Sequence, residues 1–330
     1  MPTPWSAEVR TIRAVGYVAL FLGFAQIVFG AIVRITGSGM GCGDHWPDCN
    51  GAFTPSNGAP TLLVEISHRY GAAALSVAII ALVLLAWKHR KEIGVAGAGG
   101  PLRPSLLAVA LVLIAAVFGA VTVKLSLNSL VVVTHLAIAM ALLAVLVVVV
   151  VRAGGFGAGS VPARYQRTLR SGRAAAAITF VALVFGALTA NTPGAAAACQ
   201  GFPWCRTVAE QGAPLTIQVT HRIIAFLLLG HLIGVVVGVR KRGETRAVRN
   251  AAWTALGVVV LQVILAAAMV EMHLPPELRS IHQAIGTALW IAVVTLSALA
   301  SGTVETTDIE RIVYESPSRG EFATPEGVST

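Results

Sequence analysis

Eight stretches of this chain are long and apolar enough to cross a lipid bilayer, and no other feature restricts its fold as much. They fall near residues 13–33, 61–87, 104–123, 130–151, 173–190, 215–239, 248–270 and 279–300. About 20 apolar residues span the hydrocarbon core. Backbone groups placed there must be satisfied within the segment itself, so each stretch is expected to be a helix. Hydrophobic residues make up 56% of the 330 and charged residues only 12%, whereas about a quarter of a soluble domain is charged. The expected fold class is all-α and integral to a membrane.

Charge sets the expected orientation. A formal charge of +9 could suggest a nucleic-acid partner, but the basic residues lie in short segments between apolar runs rather than along a stripe. No nucleic acid is therefore expected to bind. One alternate set of segments holds 18 Lys and Arg, from Arg10 and Arg13 through the cluster at Arg240, Lys241 and Arg242 to Arg319. The other set holds only Arg34, Lys124, Arg206 and Arg279. This asymmetry predicts a multi-pass protein of the cell membrane with both termini cytoplasmic and two long loops, 34–60 and 191–214, on the outer face. The first run ends without a small-residue cleavage site, so no cleavable signal is expected.

The chain also repeats itself. Val28-Phe29-Gly30-Ala31 returns as Val184-Phe185-Gly186-Ala187, an offset of 156. Cys42 and Cys49 return as Cys199 and Cys205, His68 as His221 at an offset of 153, and His135 as His282 at 147. Four helices per repeat is an even number, so both repeats begin on the same side. The expected architecture is two parallel four-helix bundle repeats related by a pseudo-twofold axis along the membrane normal. It divides into an N-terminal half, 1–151, a Gly- and Arg-rich cytoplasmic linker, 152–172, a C-terminal half, 173–300, and a polar tail, 301–330, expected to be disordered.

His68, His135, His221 and His282 stand near the outer ends of the second, fourth, sixth and eighth runs. Ionisable groups at membrane depth are costly and mark functional sites. A lone one is best read as an interhelical hydrogen-bonding residue; four at symmetric positions are better read as two pairs of metal ligands. Haem iron accepts paired axial imidazoles inside a helical bundle. Zinc is less apt, because no cysteine or second carboxylate lies at that depth. His45, His89 and His273 fall outside the spans. His231 lies about 280° around its helix from His221 at 3.6 residues per turn and is expected to be packed or hydrogen-bonded.

Other residues accompany the four histidines. Glu65 shares a helix face with His68, while Gln218 holds the corresponding place in the second repeat. A buried carboxyl can act as general acid or base and an amide cannot. The first half is therefore expected to be reactive and the second to hold a resident cofactor. Arg69 and Arg222 directly follow two of the histidines; each either snorkels to the surface or pairs with an anion such as a haem propionate. Each outward loop carries one cysteine pair, Cys42/Cys49 and Cys199/Cys205, in an oxidising compartment where disulfides are expected. A structural staple is favoured over a redox-active role, which remains open. Trp46 and Trp204 either cover a planar ligand or sit at the interface.

The segment Val28-Phe29-Gly30-Ala31-Ile32-Val33-Arg34-Ile35-Thr36-Gly37-Ser38-Gly39-Met40-Gly41-Cys42, followed by Trp46-Pro47-Asp48-Cys49, resembles the haem A synthase family. So do Glu65-Ile66-Ser67-His68-Arg69, Thr134-His135, Thr220-His221-Arg222 and Ile281-His282-Gln283. The resemblance runs from about residue 13 to 300. It implies oxidation of the ring-D methyl of haem O to a formyl group through an alcohol, giving haem A for a terminal oxidase. It places a b-type haem on His221 and His282, the substrate haem on His68 and His135, and the catalytic role on Glu65. It links the first-loop cysteines to activity. It also implies haem O synthase and terminal oxidase assembly factors as partners, and an electron acceptor that the residues do not identify.

Two other classes of function compete. A non-enzymatic dihaem cytochrome carrying electrons from quinol to an outer acceptor would need the same histidines but has no use for a lone buried glutamate. A transporter would predict broken helices or midplane polar sites, and neither is evident in the sequence.

Overall fold

A computed structural model of the chain describes residues 5–49, 51, 58–159 and 165–302. All eight apolar runs lie in helices: α1 Ala7–Ile35, α2 Pro60–Lys88, α3 Leu102–Lys124, α4 Ser129–Arg152, α5 Gln166–Asn191, α6 Ala213–Lys241, α7 Arg246–Glu271 and α8 Pro276–Ser301. Each is long and apolar enough to cross a membrane. The expected all-α class with eight spans is what the chain adopts. A two-residue antiparallel pair, β1 Cys199–Gln200 with β2 Thr207–Val208, lies in the α5–α6 loop.

Local chemistry explains where the helices start. The Ser6 side chain accepts from the Val9 amide at 3.3 Å, and that of Asn128 from the Leu130 amide at 3.1 Å, each satisfying a donor that a helix start leaves unpaired. Proline in the first turn of α2, α6 and α8 costs no hydrogen bond there. α5 begins at Gln166, ahead of its apolar run, and takes in Arg167, Arg170 and Arg173. Part of the linker expected over 152–172 is thus helix. Apolarity marks where hydrocarbon begins, and a helix can continue past that boundary with its arginines in the polar layer. Residues 160–164 of the linker, and the tail from 303 on, lie outside the described residues.

Helix α1 packs on α2 and α4, and α3 packs on the same two; α5 packs on α6 and α8, as does α7. Each quartet is thereby closed. The quartets meet along α1–α8, α4–α8 and α4–α5, and the Trp290 indole of α8 donates to the Met140 carbonyl of α4 at 2.8 Å. Between apolar helices in lipid, close approach depends on small residues. A Cβ added at Gly23 of α1 would stand 3.2 Å from Leu143 of α4, and one at Gly16 the same distance from Val150. Phe21, Val77, Leu84, Leu113, Leu227 and Ile264 are exposed, an apolar exterior that suits lipid and not water.

Hydrogen bonds fix which connections share an end. Arg34 at the end of α1 donates to Ala190 near the end of α5 at 3.2 Å, and the Ser129 hydroxyl of α4 donates to the Asn191 carbonyl at 2.6 Å. Lys124 pairs with Asp44 at 3.7 Å, and Arg206 with Glu271. The two cysteine loops and the α3–α4 and α7–α8 turns therefore lie together. At the other end Arg13 donates to Gly154 and Arg152 to Ala98. The two turns repeat one feature at the offset of 147: Ser126 and Leu127, then His273 and Leu274, all with φ between 49° and 64°. Left-handed backbone is uncommon for such residues.

Candidate functional site

His68 and His221 are the ninth residues of α2 and α6, and His135 and His282 the seventh of α4 and α8. The shared register brings the four to the end of the bundle that carries the cysteine loops. His68 and His135 lie within electrostatic reach of each other. His221 and His282 line one cavity between α5, α6, α7 and α8, which Arg34 of α1 also lines, of about 190 Å³ as the space open to the centres of water molecules. Among the described residues, no group of three His, Cys, Asp or Glu is placed to hold a metal ion.

Three of the four rings have a hydrogen-bonding neighbour. Nδ1 of His221 lies 2.9 Å from the Ala182 carbonyl. A carbonyl only accepts, so Nδ1 carries the proton and Nε2 keeps its lone pair free for a metal. His282 is held by Gln262 of α7, whose Nε2 donates to the His282 carbonyl at 3.0 Å and lies 3.2 Å from the ring Nε2. In the other quartet Gln26 of α1 donates to the His68 carbonyl at 2.8 Å and lies 3.0 Å from the ring Nδ1. The Ala115 carbonyl approaches His135, whose Nδ1 is buried and makes no hydrogen bond. Gln26 and Ala182 are 156 apart, Gln262 and Ala115 147 apart. Each quartet thus braces one histidine with a glutamine and sets an alanine carbonyl behind the other, with the roles exchanged between quartets. Sequence reasoning missed both glutamines, although a polar amide inside an apolar run is the kind of signal that marks such a brace.

The cavity beside His221 and His282 has room for a bound group. Gly30 and Gly186, also 156 apart, lie against His68 and His221; a Cβ would stand 3.2 Å and 2.9 Å from the respective Cε1 atoms. The buried Nδ1 of His282 and Oε1 of Gln262 have no partner, and the cavity walls are mostly apolar. Residues of this kind fit a bis-imidazole-ligated haem. Gly186→Val is expected to displace the His221 ring and lower the Soret absorbance per chain several-fold, while Gly257→Ala on α7, which meets nothing within 4 Å, leaves it unchanged.

Glu65 is buried, 4% exposed. Its Oε2 accepts from the Cys42 amide at 2.9 Å and its Oε1 from Arg69 Nη2 at 2.5 Å. Gln218 repeats the first contact, Oε1 accepting from the Cys199 amide at 2.5 Å, and its Nε2 donates to the Ala196 carbonyl at 3.0 Å. Both side chains therefore tie a cysteine loop to its histidine helix, and only the first adds an ion pair. Arg69 also donates to the Pro47 and Asp48 carbonyls. Arg222 donates to the carbonyls of Cys199 and Gly201 at 2.7 Å and of Pro203 at 3.3 Å, and lines the cavity. The disulfides Cys42–Cys49 and Cys199–Cys205 are both formed, and the first is buried against Leu62 and Ile66 of α2. Trp204 is 81% exposed. Nε2 of His231 donates to the Ser171 carbonyl at 2.9 Å, the hydrogen-bonded role expected of it.

Eight apolar helices, with a pair of histidines in matching register in each quartet, define a multi-pass membrane protein. The family model of the cytochrome oxidase assembly proteins, COX15-CtaA, matches residues 13–294, and the chain belongs to that family. It is similar to the heme A synthase of Lysinibacillus sphaericus (strain C3-41), 36% identical over 96 residues, which cover 28% of each chain. It is similar also to the heme A synthase of Bacillus mycoides (strain KBAB4), 44% identical over 64 residues, 19% of this chain and 21% of that protein. The matched segments thus span less than a third of these curated relatives.

Proposed function

We propose that this protein is an oxidoreductase of haem A biosynthesis that oxidises the ring-D methyl of haem O to a formyl group through an alcohol. Haem O is the substrate, held in the first quartet between His68 and His135. A b-type haem is the resident cofactor of the second, between His221 and His282; when bound it supplies one-electron transfer. The observation that carries this reading is one chemical difference between two sites alike in register: a carboxylate, Glu65, ties the first cysteine loop where the amide of Gln218 ties the second.

The chain's own contribution follows from its residues. His221, with Nδ1 committed to Ala182, presents Nε2 in one tautomer. Gln26 and Gln262 tie their helices to the backbone of His68 and His282 and stand against a ring nitrogen of each. Methyl to alcohol, with oxygen from water, and alcohol to formyl each release two protons and two electrons. The electrons pass to an acceptor outside this chain, and Glu65 is the base that accepts a proton at a carboxylate oxygen or stabilises positive charge developing on the ring. Arg69 holds that carboxylate in place. The dihaem cytochrome remains the competing outcome of the test. In cells that make haem O but not haem A, expression of this chain is expected to yield haem A in membrane extracts. Haem O unchanged beside abundant folded protein would rule the activity out.

The termini are cytoplasmic on this reading, the disulfide loops lie outside, and the product passes to terminal oxidase assembly. The support is the basic residues gathered at the end opposite the cysteine loops. After mild reduction, an impermeant thiol reagent added to intact cells is expected to label the cysteines of both loops. Labelling only from inverted vesicles would reverse the orientation.

A further inference from the structure

The cavity between His221 and His282 is not built by its own quartet alone. Arg34, the penultimate residue of α1, reaches across and lines it, half-buried, with one hydrogen bond to the Ala190 carbonyl at 3.2 Å. Arg279, three residues before His282 on α8, lines the same cavity and lies within electrostatic reach of Arg34. Among the described residues, neither forms an ion pair with a carboxylate, and the Arg279 guanidinium makes no hydrogen bond. Arg222, the third guanidinium at this rim, is spent on the carbonyls of the cysteine loop.

The first quartet has no such arrangement. At the offset of 156 the counterpart of Arg34 is Ala190, and at 147 the counterpart of Arg279 is Val132. Its one rim arginine, Arg69, is neutralised by Glu65. Two half-buried like charges without a counter-ion are unfavourable unless something anionic joins them. Guanidinium forks suit carboxylates, which they can bind through two parallel hydrogen bonds.

We propose that Arg34 and Arg279 form the carboxylate-binding rim of the second quartet's cavity, gripping the two propionates of the haem held by His221 and His282. The inference rests on the reading that this site holds a b-type haem. It adds that the site is completed by α1, so that residues 173–300 alone lack part of it. It also gives a physical reason for the two sites to differ. Two uncompensated cations hold a dianionic cofactor permanently, whereas a site with its arginine already neutralised can exchange its occupant.

The test uses the full chain, produced without haem and reconstituted with haem B or with its dimethyl ester, in which both carboxylates are capped. The wild type is expected to bind the free acid on the order of tenfold or more tightly than the ester, since each charge-assisted contact is worth about that factor. Arg34→Ala and Arg279→Ala should each shrink the preference, and Arg34→Lys should restore part of it. The ester comparison on the wild type alone decides the matter if a variant fails to fold. Equal affinity for acid and ester, or an undiminished preference in folded Arg34→Ala and Arg279→Ala proteins, would overturn the rim while leaving the haem site standing. Absence of any haem binding that depends on His221 would overturn both.

Discussion

Glu65→Gln is expected to leave the b-type haem in place and cut haem A formation by about two orders of magnitude or more, the usual contribution of a positioned acid or base. The substitution is unusually clean here because the fold already contains its product. Gln218 stands in the corresponding place and accepts from the Cys199 amide as Glu65 accepts from that of Cys42. An amide at 65 can therefore keep the loop tied to α2. Arg69 loses its carboxylate but keeps its bonds to the Pro47 and Asp48 carbonyls, so it is not left stranded. What disappears is the charge and the ability to take a proton. Extracted pigments should show haem O accumulating with haem B unchanged. If folded protein and all haem fall together, Glu65 acts only as a strut for the loop; if haem A forms normally, it has no catalytic part.

His221→Ala or His282→Ala is expected to abolish the low-spin b-type spectrum, whereas His68→Ala or His135→Ala spares most of it and instead removes substrate haem. The effect should be near complete, because a bis-imidazole site that loses one ligand loses its low-spin state even where some haem lingers. Bracing sharpens the expectation. His221 has its Nδ1 proton committed to Ala182, and a backbone carbonyl cannot be lost by side-chain substitution. His282 depends on Gln262. Gln262→Leu should accordingly weaken the b-type centre without erasing it, a loss of about 10- to 100-fold in affinity being usual for an outer partner of a metal ligand. Reduced-minus-oxidised spectra of purified variants measure all of these. A b-type centre that survives loss of His221 but not of His68 would exchange the roles assigned to the two quartets.

Much of this was legible in the residues. Hydropathy locates all eight helices, and the offsets between repeated motifs match histidine to histidine. It missed helix ends such as Gln166, because a hydropathy run reports where lipid ends and not where the backbone stops being helical. The partners of the side chains were hidden for a related reason. Which atom faces Glu65, His68 or Arg34 depends on the rotation of each helix and on the spacing between quartets, and periodicity within one helix carries neither. Helical spacing puts Glu65 on the face of His68, but does not show that its carboxylate also ties the cysteine loop. Arg34 was counted only as an outward loop charge, yet it reaches into the cavity of the other quartet, a placement set by packing between segments more than 150 residues apart.

The central claim is that two like-built sites hold different haems, one a resident cofactor and one a substrate undergoing oxidation. The most direct measurement is the pigment content of the purified full-length protein from cells that make haem O, resolved by chromatography of the acid-acetone extract. The account predicts haem B at a fixed ratio to protein, accompanied by haem O and haem A whose proportions shift toward haem O in Glu65→Gln. Two equivalents of haem B per chain, with neither haem O nor haem A under any supply of precursor, would contradict it and leave a dihaem cytochrome in its place.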